Sequence, residues 1–104
     1  MAETIENTEL LGQIVKAWGV DAQVMVAIEE MAELTKALLK MRRRNYTWGS
    51  PILGNGKEWE NLAEEVADVD LMLDQIKYMF EIYRTDERKL AKLNRIKDKL
   101  GLVT

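Results

Sequence analysis

The chain has 104 residues, 47% hydrophobic and 32% charged, with a net charge of −3, which suits one compact domain and argues against broad nucleic-acid binding. It contains no cysteine and no histidine, which excludes disulfides, thiol chemistry, the serine-triad apparatus and the Glu-x-x-His pairs of helical di-iron sites. Any metal must therefore be held by oxygen, which favours hard cations, Mg²⁺ or Mn²⁺ before Ca²⁺.

The periodicity predicts helices almost throughout. Leu11, Ile14, Val15 and Trp18 fall at helical spacing and predict a first helix over about 7–17, with Trp18 as a core anchor and Gly19 as its break. Asp21 is positioned as the N-cap of a second helix reaching about Arg44. Its expected buried stripe is Val24, Ile28, Met31, Thr35, Leu38 and Leu39. The segment 45–57 holds the sole proline and three of the six glycines and reads as a loop. A third helix is predicted over about 58–83. Its seam of Leu62, Val66, Val69, Leu73, Ile76, Phe80 and Tyr83 alternates steps of four and three, as helix-on-helix packing requires. Thr85 is expected to cap a fourth helix that stops near Gly101. No strand pattern, signal peptide or membrane-length apolar run is present. The expectation is an all-α bundle of about four helices, one domain over 1–104, in the cytoplasm.

Carboxylates interrupt the apolar faces of the two long helices. Glu29, Glu30 and Glu33 lie on the second, and Glu64, Glu65 and Asp68 on the third. At about 100° per residue, Glu30 and Glu33 share an edge with Val26, Ala37 and Met41, while Glu65 and Asp68 lie near Met72. Residues three apart have Cβ atoms roughly 5–6 Å apart, so each pair can aim its oxygens at one small volume. Four such groups brought together would repel one another and lose hydration, and a divalent cation relieves both costs. Surface acids are common in helices, but two such segments beside apolar faces favour a site.

Glu29-Glu30-x-x-Glu33 followed by Glu65-x-x-Asp68 resembles the E-E-x-x-E … E-x-x-D signature of the MazG-like proteins of the all-α nucleoside triphosphate pyrophosphohydrolase superfamily. Trp18-Gly19, Gln23, AIEEMAEL, LAEEVADVDLML and the basic KLNR of 92–95 are similar to the family's surrounding wording, over roughly 14–100. The 31 residues from 34 to 64 exceed the family's usual gap slightly, and the excess sits in the loop.

The resemblance implies Mg²⁺-dependent hydrolysis of a (d)NTP to (d)NMP and pyrophosphate, in nucleotide-pool housekeeping. It implies metal ligation by Glu30, Glu33, Glu65 and Asp68, which would neutralise phosphate charge and activate the attacking water. Glu29, turned about 100° away, is assigned to orienting that water or to the surroundings of the metal, or is an exposed helix acid. Lys92 and Arg95 are expected at the phosphates, or else as solvated surface charge. Gln23 is expected at the base edge and Trp48 as a stacking lid, whereas Trp59 is read as core.

Surplus apolar edges on the second and third helices, together with the resemblance, imply a homodimer or dimer of dimers, in which Lys92, Arg95 or Trp48 serve the partner's site. Two other classes share these features: a non-catalytic helical interaction module, and a relative that binds nucleotide without cleaving it.

Overall fold

The computed structural model describes residues 5–51 and 53–102. It is all-helical, with no strand among the described residues: α1 (Ile5–Trp18), α2 (Val20–Arg42), α3 (Lys57–Phe80) and α4 (Thr85–Lys99). No helix among these is long and apolar enough to cross a membrane.

Gly19 makes the α1–α2 junction nearly immediate. Its φ of 91° is one that glycine adopts without cost, so the chain can leave α1 and enter α2 at once. Gly19, not Asp21, is the N-cap, and Asp21 sits in the first turn, where its charge opposes the helix dipole. α2 ends at Arg42, two residues short of the predicted Arg44. Arg44 instead tethers the following loop: its Nη1 donates to the Asn55 carbonyl at 2.7 Å and lies 3.9 Å from Glu58. Gly56 leaves room for this guanidinium, since a Cβ there would lie 2.7 Å from Nη1. α3 ends at Phe80 rather than Tyr83, with Glu81 turned into the left-handed region at φ 52°. The N-cap of α4 is Arg84, also left-handed, and Thr85 is its first helical residue. Gly101 follows the Leu100 C-cap, as expected.

α2 and α3 form the main pair, and α1 packs on both. The pairing is antiparallel: Gln23 meets Gln75 at one level and Glu30 meets Glu65 and Asp68 at another. The buried row of α2 is Gln23, Ala27, Ala37 and Met41, with the half-buried Glu30 and Leu34 between. This corrects the expected stripe, for Ile28, Met31, Thr35, Leu38 and Leu39 are all exposed. The reason is steric. Ala27 and Ala37 have almost no side chain to hold α3 away, so that edge closes first, and the bulkier neighbouring face turns outward.

α3 shows the same rotation. Its covered row runs through Leu62, Glu65, Val69, Met72, Gln75 and Met79, whereas Val66, Leu73 and Phe80 of the expected seam are exposed. Tyr83 lies beyond the helix and is exposed. α4 packs against none of the other helices among the described residues and has no buried residue.

Candidate metal centre

The rotation of α2 and α3 puts acids inside the contact. Glu30 occupies a seam position of α2, seven residues after Gln23 and seven before Ala37. Glu65 occupies a seam position of α3, seven residues before Met72. Asp68 is one turn after Glu65 on the same side, at the exposed border. One carboxylate oxygen from each of these three lies within 4.8 Å of the others.

The electrostatics of the three are unfavourable as they stand. Oε2 of Glu65 is buried and has no hydrogen-bond partner, a state that costs the desolvation of a polar group with nothing in return. No cation pairs with Glu30, Glu65 or Asp68 among the described residues. Desolvation pushes the Glu30 carboxyl above its ordinary value of 4.5, and the negative charges of Asp68, Glu65 and Glu33 push in the same direction. A hydrogen bond with Asp68 adds to this by favouring the protonated form.

A divalent cation fits this donor set. The ligating atoms are all hard oxygens, the charge is in excess, and one buried oxygen lacks a partner.

The other predicted site residues are placed as follows. Glu33 is one turn beyond Glu30, exposed, and near enough for its charge to act on Glu30, but its oxygens are not among the three that converge. Glu29 is exposed beside the cluster. Lys92 and Arg95 are exposed on α4, which makes no close backbone contact with the helices bearing the carboxylates, and no ion pair joins either to the cluster among the described residues. Trp48 is 99% exposed in the loop after α2, and Trp59 is half-buried at the start of α3. Trp18 is 67% exposed, not a core anchor, because α1 ends there and no other helix among the described residues covers its outer side.

Gln23 is 6% exposed and lines an apolar cavity of about 430 Å³ between the end of α1, the start of α2 and the middle of α3. Ile14, Trp18, Val26, Leu71 and Met72 supply its apolar walls. Gln75 is also at this cavity, 2% exposed, with its Nε2 donating to the Leu11 carbonyl at 3.3 Å. Sequence reasoning missed Gln75, although an amide one position off an apolar seam was the available signal.

Compared with known protein families, curated proteins and solved structures, the chain matches none.

Proposed function

We propose that the chain is a nucleoside triphosphate pyrophosphohydrolase of the MazG-like kind, dependent on Mg²⁺ or Mn²⁺. The observation that carries this reading is the convergence of Glu30, Glu65 and Asp68 from two antiparallel helices around an unpartnered buried oxygen. The acidic spacing of the sequence supports it independently. When bound, the cation offsets the charge of the triphosphate and of the transition state.

The chain's own contribution is positional. Glu30 and Glu65 are held by the α2–α3 contact, so their oxygens need little rearrangement to bind. Asp68, at the exposed border, leaves the phosphate side open. Glu33 completes the ligand set from one turn away, and Glu29 orients the attacking water. Water adds to phosphorus and the α–β phosphoanhydride bond breaks, giving monophosphate and pyrophosphate.

Assembly as a homodimer or dimer of dimers belongs to the same proposal. Ile28, Met31 and Leu38 on α2, Val66, Leu73 and Phe80 on α3, and Leu90, Leu93, Ile96 and Leu100 on α4 are exposed apolar side chains. A second copy is suited to cover them. It would also be able to set Lys92 and Arg95 beside a carboxylate cluster to which no ion pair joins them within one chain among the described residues.

That no ion pair joins these cations to the cluster among the described residues favours, as a second reading, a protein that binds nucleotide without cleaving it. One assay separates the two. Ribo- and deoxynucleoside triphosphates are incubated with Mg²⁺ and the first products are identified. Monophosphate and pyrophosphate are expected. Orthophosphate and diphosphate as first products would place the cleavage elsewhere, and binding without turnover would leave the second reading.

A further inference from the structure

We propose that the end of α2 and the loop after it, over 42–48, form a docking surface for single-stranded nucleic acid, with Arg42 and Arg43 on phosphates and Trp48 stacked on a base. Arg42 lies twelve residues beyond Glu30, about 18 Å at the rise of an α-helix. The surface is therefore separate from the carboxylate cluster and does not depend on the hydrolase reading. Three observations support it.

The first is segregation of charge. The net charge of −3 opposes general affinity for polyanions, but it is unevenly spread. Between Glu33 and Glu58 the chain carries Lys36, Lys40, Arg42, Arg43, Arg44 and Lys57 and no acid, so all 18 acids lie elsewhere. All six cations are exposed except Arg44, which is half-buried. Opposing the helix dipole accounts for Lys40 and Arg42 in the last turn of α2. It does not account for the exclusion of acids from the whole stretch.

The second is that two of the arginines are uncommitted. Arg44 holds the loop, through the Asn55 carbonyl and Glu58. Arg42 and Arg43 have no ion pair among the described residues. With Leu39 and Asn45 they line a concavity of about 290 Å³. A guanidinium matches the geometry of phosphate oxygens with two parallel N–H donors, so two adjacent arginines suit consecutive phosphodiesters.

The third is an aromatic ring presented to solvent on an ordered turn. Trp48 is 99% exposed, and Tyr46 two residues before it is 42% exposed. The turn is held by Ser50 N–H donating to the Thr47 carbonyl at 2.9 Å and Leu53 N–H donating to the Ser50 carbonyl at 3.0 Å. Bases of a single strand offer open faces for such a ring to stack on, whereas those of a duplex are already stacked. An anionic membrane would also attract the arginines, but adsorption to a bilayer needs a broad apolar face. The large exposed hydrophobic side chains of the loop, among the described residues, are the two flat aromatics.

The test is fluorescence anisotropy of labelled oligo-dT and oligo-U of about ten nucleotides, titrated with the full chain in chelator at several salt concentrations. Binding is expected to weaken with salt, with a logarithmic slope of about −0.7 for each phosphate neutralised. The double variant Arg42→Gln, Arg43→Gln should bind at least about tenfold more weakly at low salt, with a slope shallower by about 1.4. Trp48→Ala should also bind about tenfold more weakly, with the slope unchanged, because stacking displaces no counterions. Each substituted residue is exposed, so the variants should keep the parent's melting temperature. Glu30→Gln should bind oligonucleotide as the parent does. Failure of both oligonucleotides to bind, or parental affinity in the arginine variant, would overturn the proposal. So would parental affinity in Trp48→Ala with equal binding of a duplex, which would reduce the patch to a polyanion contact. Lost binding in Glu30→Gln would place the oligonucleotide at the carboxylates instead. Co-sedimentation with phosphatidylglycerol vesicles, dependent on Arg42 and Arg43 and unaccompanied by oligonucleotide binding, would assign the surface to a membrane.

Discussion

Adding Mg²⁺ to metal-free protein should raise its melting temperature, and the size of the rise follows from the site. The three convergent carboxylates exist as a cluster only when α2 and α3 are paired, so the cation binds the folded state and not the unfolded chain. At a free concentration ten times the Kd, mass action then stabilises the fold by about 1.4 kcal/mol. For a domain of this size that corresponds to a shift of about 6–11 °C. The assay is thermal denaturation against Mg²⁺, Mn²⁺ and Ca²⁺ at constant ionic strength, because added salt alone screens like charges and would mimic part of the effect. Glu30→Gln and Asp68→Asn should each abolish the shift. Glu33→Gln should reduce it less, since that carboxylate stands outside the three that converge. A shift of the same size in both Glu30→Gln and Asp68→Asn would refute the reasoning and place the cation elsewhere.

The raised affinity of Glu30 for a proton sets a pH dependence of defined sign. Its folded-state stabilisation is complete below 4.5 and is lost as pH rises through the raised value. Without metal, Glu30→Gln should therefore be more stable than the parent at neutral pH, with the difference closing as pH falls toward 4.5; a constant difference would contradict this. Lys92→Ala and Arg95→Ala should slow turnover while leaving the Mg²⁺-induced thermal shift largely intact, and unchanged kinetics in both would make these residues solvated surface charge. Light scattering over a dilution series should give a dimer or larger assembly, whereas an active monomer of 12.0 kDa at micromolar concentration would exclude a site shared between chains.

The helices were legible in the sequence because Gly19, the 45–57 segment and Gly101 punctuate an otherwise periodic chain. The carboxylates beside the seam were legible for a different reason: spacing on a helix fixes which acids are neighbours over 29–33 and 65–68, although it did not separate Glu33 from the three that converge. The rotation of the faces was not. Hydropathy favoured the bulky row of Ile28, Met31 and Leu38, while packing chose Ala27 and Ala37. A periodicity argument weighs how apolar a row is, not how closely a neighbour can approach it. Gln75 was overlooked for the same cause, since it belongs to the row that hydropathy ranked second. The positions of Lys92 and Arg95 relative to the cluster depend on how α4 is set against the rest, and local spacing carries no information about that.

The lack of close backbone contact between α4 and the other helices makes its order depend on what surrounds it. Fifteen residues of helix with so little tertiary packing are marginal, because nucleation costs more than so few turns return. Backbone amides of 85–99 should then exchange with deuterium far sooner than those of α2 and α3 whenever Leu90, Leu93, Ile96 and Leu100 face solvent. Their protection should grow with protein concentration if another copy covers that row. The last helix would in that case serve as a built-in gauge of association, recording how much of the protein is assembled before any nucleotide is added.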